Sequence, residues 1–175
     1  MEKFVEKIKL QSMKHNIDKY IVDIRGNSGG NSEIIKPLIH FLSNKEVITL
    51  IDRYVFSGGR FALIDLINIG SKTVGTGIGT SINCFGNISK NEIGNFILPV
   101  SNKYFYLKDN KIFNINNKND FVVFKNNIHN CKYFDPIIYT PDYIVENKID
   151  DYENNRDSVL EYAIQLYKTE KINYK

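Results

Sequence analysis

Apolar side chains near the start of the chain fall at helical intervals. Phe4, Val5, Ile8 and Met13 lie toward one face, and Glu and Lys fill the other. This spacing predicts an amphipathic helix over 2–15 that ends at Asn16. KYIVDI (19–24) is a short apolar run rich in β-branched residues, read as a buried strand, and it stops at the turn cluster RGNSGGNS (25–32). Ile34, Ile35, Leu38, Phe41 and Leu42 then recur at helical spacing, with Asn31 or Ser32 as N-cap and Pro37 in the first turns, where proline is best tolerated. EVITLIDR (46–53) is a second buried strand and YVFSGGR (54–60) the turn after it. FALIDLINI (61–69) is apolar nearly all round, a buried helix with Gly70 as its C-cap. KTVG (72–75) is a third strand.

Beyond the glycine-rich stretch TGIGTSINCFGN (76–87) the pattern changes. NFILPV (95–100) and KYFYLK (103–108) read as the two strands of a hairpin around a short polar turn. Residues 109–130, rich in Asn and Lys with the apolar patches IFNI and FVVF, read as a long loop or irregular β excursion. FDPIIYTPDYIVENKIDDY (134–152) reads as extended. RDSVLEYAIQLYKTE (156–170) is a closing helix with Val159, Leu160, Tyr162, Ala163, Leu166 and Tyr167 on one side. Helix and strand alternate three times, which implies parallel strands joined by crossover helices. The expected class is α/β with a β-rich C-terminal excursion and a terminal helix.

Composition narrows the classes without choosing among them. The 175 residues are 42% hydrophobic and 25% charged, near the globular average, and no linker divides them, so a single domain over 1–175 is expected. A net charge of +3 spread along the chain is poor ground for nucleic-acid binding. Cys84 and Cys131 have neither zinc spacing nor the number for a disulfide framework. No cofactor or metal is expected. No apolar run approaches the roughly 18 residues of a membrane helix, and the N-terminal segment lacks a signal-peptide core, so a cytoplasmic location is expected.

Two strand–turn–helix corners carry the chemistry. One is Asp23-Ile24-Arg25-Gly26-Asn27-Ser28-Gly29-Gly30, and the other is Tyr54-Val55-Phe56-Ser57-Gly58-Gly59-Arg60. Small residues at such corners let backbone N–H groups face a cleft, where a phosphate, a carboxylate or the oxyanion of a tetrahedral intermediate can sit. Neither corner reads GxGxxG or GxxxxGKS, against dinucleotide or P-loop binding. Ser57 stands where a helix N-cap would, and followed by two glycines it also fits a nucleophile elbow.

The ordered motifs DIRGNSGG, YVFSGGRFAL and VGTGIGTSINCFGN resemble the catalytic core of the C-terminal processing (tail-specific) serine peptidases, nearest the tricorn and retinoid-binding-protein-like branch. The first family motif, D-[LIV]-R-x-N-x-G-G, is matched by Asp23, Arg25, Asn27, Gly29 and Gly30. The nucleophile motif is matched by Phe56, Ser57, Gly58 and Gly59, with Arg60 where Glu is common. Val74, Gly75, Gly79, Asn83 and Gly86 meet the third. FILPVS and the PDYIVENKIDDYENNRDSVLEYAI ending are also similar, so the resemblance runs over about 19–167.

The resemblance implies a ClpP/crotonase-like core and a serine-type peptidase acting on peptide or protein substrates. It makes Ser57 the nucleophile, with Gly58 and either Gly29 or Gly30 lending oxyanion-hole N–H groups. Arg25 and Asn27 would brace the first turn. The base is missing from the motifs. Thr80 or its neighbour occupies the place of the family's lysine, Lys72 begins a strand on the wrong side of the glycine turn, and the branch's histidine would lie in an upstream part the chain lacks. His15, His40 and His129 remain, with Asp65 and Asp150 as acidic candidates, and Asp65 reads first as a buried carboxylate in need of a partner. An inactive domain binding extended peptides or a hydrophobic ligand is the rival expectation, and a crotonase-like acyl-CoA enzyme a weaker third.

Overall fold

A computed structural model describes residues 1–106, 111–114, 117–120 and 138–169. The chain divides into two compact units, one of residues 1–79 and 140–175 and the other of 80–139.

The first unit is built on a parallel sheet. Its strands are β1 (Lys19–Asp23), β2 (Glu46–Ile51), β3 (Lys72–Gly75) and β7 (Tyr143–Ile144), in spatial order β1-β2-β3-β7. All three pairings are parallel, with Ile21 beside Ile48, Leu50 beside Val74 and Val74 beside Tyr143. The helix α1 (Glu2–His15) precedes the first strand, α2 (Lys36–Leu42) and α3 (Gly58–Asn68) lie between the next ones, and α4 (Ile149–Glu153) and α5 (Ser158–Thr169) close the unit.

β2 is buried along its length from Val47 to Ile51, because a central parallel strand is covered on both faces. Successive side chains alternate faces, so Ile48 and Leu50 point one way. With Val74 they pack against Val159, Ala163 and Leu166 of α5. The only polar side chain in this run, Thr49, pairs its hydroxyl with Ser71 Oγ at 2.7 Å, which satisfies both groups away from water. At the next strand Asp142 Oδ2 accepts from both Thr73 N–H (2.8 Å) and Thr73 Oγ1 (2.9 Å), pinning the start of β7 to β3.

The three predicted core strands and the helices over 2–15, 61–69 and 156–170 are present, with boundaries shifted by a few residues. Within α1 the stripe differs. Val5 and Ser12 are buried and Ile8 is half-buried, while Phe4 and Met13 flank that stripe and stay exposed. Ser12 is accommodated because its hydroxyl donates to Ile8 O at 2.7 Å and accepts from Tyr20. The segment 33–44 opens as a 3₁₀ turn (Ser32–Ile35), with Asn31 Oδ1 accepting from Glu33 N–H at 3.0 Å, before α2 begins. The extended reading of 134–152 missed α4, whose start is fixed when Lys148 N–H donates to Asp151 Oδ2 at 2.8 Å.

The second unit holds the antiparallel strands β4 (Cys84–Ile93), β5 (Phe96–Tyr106) and β6 (Lys111–Asn114), in that order. The predicted hairpin is displaced. Its turn is at Gly94-Asn95, not near 101–102, and 96–106 is one unbroken strand. Gly94, at φ +59°, supplies the left-handed backbone a tight hairpin needs. Pro99 is tolerated inside β5 because it lies beyond the end of β6, which pairs only from Lys103 onward. The first three residues of IFNI (112–114) fall in β6; Ile115 and FVVF lie outside the described residues.

Leu50, fully buried in the β2–α5 core, sets a stability test: Leu50→Ala should lower the unfolding free energy by about 2–5 kcal/mol in urea titrations.

Candidate active site

Ser57 follows β2 by a short turn and occupies the N-cap position of α3, at φ +48° and ψ −119°. A non-glycine residue at positive φ costs on the order of 1–3 kcal/mol and persists where surrounding structure holds it. Its side chain makes no capping hydrogen bond, so the simple N-cap role expected from position is not the one it plays. The hydroxyl belongs to a strained strand-to-helix corner, as in a nucleophile elbow.

What holds Ser57 is the other glycine turn. Phe56 N–H donates to Asn27 O at 2.9 Å, and Asn27 N–H to Ile24 O at 3.2 Å. Gly29 and Gly30 both have left-handed backbones, at φ +114° and +124°. A Cβ on Gly29 would lie 2.5 Å from Ser57 Cβ and 2.8 Å from the Gly58 nitrogen. One on Gly58 would lie 2.5 Å from Gly30 O, and one on Gly59 2.6 Å from Asn27 O. The two corners, separate in sequence, therefore meet backbone to backbone, and only glycine allows that approach.

The N–H groups in this contact differ in their engagement. Gly29 N–H donates to Asn27 Oδ1 at 3.0 Å, an Asx-type turn. Arg60 N–H donates to Ser57 O and Gly59 N–H to Phe56 O, the first bonds of α3. Gly29, Gly30 and Gly58 help line a pocket of about 300 Å³, together with Ile34, Ile35 and Ala62, and no charged side chain is among its lining residues. A larger cavity, about 550 Å³, opens at the carboxyl ends of the parallel strands and shares Gly26 with the first turn.

Charged groups brace the corners. Arg25 forks onto Asp157 through Nη1 (2.9 Å) and Nη2 (2.7 Å), and its Nη2 and Nε also donate to Asp23. These hydrogen bonds raise the guanidinium's pKa. The Asp157 carboxyl falls to about 2, chiefly because Arg25 hydrogen-bonds it. Asp52 joins the two turns directly, accepting from Gly26 N–H (3.0 Å) and Tyr54 N–H (3.0 Å). Sequence reasoning placed Arg25 and Asn27 as braces and missed Asp52 and Asp157. An Asp at a strand end just before a turn is the signal that marks Asp52.

The candidates for a base are dispersed. His15 and His40 are exposed, and His129 lies outside the described residues. Lys72 opens β3. Asp65 forms an ion pair with Lys36 at 2.9 Å, the partner its half-buried carboxylate requires. Asp150 is exposed in the first turn of α4. Among the described residues none of these side chains hydrogen-bonds Ser57, and no group of His, Cys, Asp and Glu could hold a metal ion. No described helix is long and apolar enough to cross a membrane.

No family model and no curated protein matches the chain. Its fold is similar to the crystal structure of a protein from Parabacteroides merdae described as a "putative peptidase", with a TM-score of 0.50 and 14% identity. The match covers 85% of this chain and 51% of that one, so the chain spans about half the length of its structural neighbour. The two share a mixed α/β fold.

Two expectations follow. Gly29→Ala, blocked by Ser57, should destabilise the chain more than Gly26→Ala, which faces open space at φ +69° and costs about 1–2 kcal/mol; urea unfolding of both variants measures the difference. Asp157 has a folded-state pKa below its ordinary 3.8, so its contribution is complete above about pH 4 and is lost as pH falls toward 2. Asp157→Asn should lower stability at pH 7 by on the order of 1 kcal/mol and flatten the decline between pH 4 and 2, read from denaturation at each pH.

Proposed function

We propose that this chain carries the catalytic core of a serine-type peptidase with a ClpP/crotonase-like arrangement of strands and helices. The observation that carries the reading is the strained, uncapped Ser57 held against the Gly29–Gly30 turn. Ser57 Oγ attacks the scissile carbonyl and a base takes its proton. The tetrahedral oxyanion rests on backbone N–H groups; its collapse breaks the C–N bond, the departing amine takes up the proton held by the base, and water then hydrolyses the acyl-enzyme to a carboxylic acid and free Ser57. Gly58 supplies one donor. Of the two candidates in the first turn Gly30 is preferred, because Gly29 N–H is already held by Asn27 Oδ1. The uncharged pocket beside these glycines suits an apolar side chain of the substrate.

A second reading is favoured by one observation: no described basic or acidic side chain hydrogen-bonds Ser57. Under it the cleft binds extended peptides without cutting them.

Fluorophosphonate labelling read by intact mass decides between the two. The peptidase reading expects a single adduct that disappears in Ser57→Ala while circular dichroism stays unchanged. A folded chain that takes no adduct, or a Ser57→Ala variant that still takes one, sinks it. In the first of those cases, retained peptide binding by Ser57→Ala supports the second reading.

A further inference from the structure

The β4–β5 hairpin outruns its sheet. β6 pairs with Lys103–Tyr106 of β5 and goes no further, so from Ile88 to Ser101 the two strands have only each other among the described residues. Residues 90–100 are all exposed, on both faces of the ribbon. Phe96 is 79% exposed and Ile88 68%, and Ile93, Leu98 and Val100 are open to solvent as well. A two-stranded ribbon is at best marginal in water, and an unpaired apolar edge seeks another strand.

Its charges select the partner. Lys90 and Glu92 lie on one face of β4, two residues apart, and neither side chain forms an ion pair with a described residue. We infer that β4 pairs edge to edge with β4 of a second copy of this chain, antiparallel about a two-fold axis through Asn91. In that register Lys90 of each copy stands opposite Glu92 of the other, twice, and the two Asn91 amides face one another. A two-residue slip either way, the smallest that keeps each side chain on its own face, places Lys90 against Lys90 or Glu92 against Glu92, and like charges directly opposite are destabilising. The opposite face gains continuity. Phe96 and Ile93 of one copy fall in line with Ser89 and Val100 of the other, and Leu98 flanks each Asn91. The two-stranded ribbon becomes a four-stranded sheet with ion pairs on one face and apolar side chains on the other. This pairing does not depend on the hydrolytic reading of Ser57.

Sedimentation velocity of the full chain over a concentration series tests it. The wild type should dimerise. Lys90→Glu and Glu92→Lys, both at exposed positions, should each weaken the dimer by about tenfold or more. The double variant K90E/E92K restores opposite charges and should recover wild-type association. Circular dichroism checks that each variant is folded. A wild type that stays monomeric at about 100 µM, single reversals that dimerise as well as wild type, or a double swap that fails to rescue would each overturn the pairing, leaving the ribbon to a different partner.

Discussion

The closest approach between the two glycine corners is the constraint on which the rest of the site depends. A Cβ added at Gly29 would meet Ser57 Cβ at 2.5 Å and one at Gly58 would meet Gly30 O at 2.5 Å, so the approach needs glycine at both positions. Here each presents glycine to the other: Gly29 against Ser57 and Gly58, and Gly58 against Gly30. The bond from Phe56 N–H to Asn27 O fixes their register. Within that contact Ser57 sits at φ +48°, a backbone conformation that persists only where surrounding structure holds it. The strain is small beside the apolar burial beneath it, where β2 and α5 share a closed core.

Around this contact the charged residues act as scaffolding. Asp52 is within hydrogen-bond reach of one N–H from each corner, and Arg25 ties the first corner to Asp157 at the head of α5. Bidentate guanidinium–carboxylate geometry fixes orientation as well as distance, which a single flexible ammonium would not do. Three carboxylates are thereby committed to structure, Asp52 and Asp157 to these ties and Asp65 to Lys36.

Legibility in the sequence followed how local each determinant was. EVITLI could be read as a central strand because burial on both faces leaves a continuous apolar run. The glycine corners were legible because glycine clusters after strands have few other uses, and the motif order added their spacing. Asp52 was not, since its two N–H partners come together only when the corners do. The hairpin was misplaced because Ser101 and Asn102 look like a turn, yet their strand is continued by pairing with β4. In α1 the helix itself was plain. Which stripe it buries depended on Tyr20, whose hydroxyl reaches Ser12.

The tie between Arg25 and Asp157 joins residues 132 positions apart, and β7, which completes the parallel sheet, also comes late in the chain. During synthesis the first corner, the second corner and Ser57 all leave the ribosome long before either element. A nascent chain therefore carries the serine with its brace undone until α5 emerges. The order of translation alone therefore sets the tie between Arg25 and Asp157 later than the two glycine corners, which can meet before it forms.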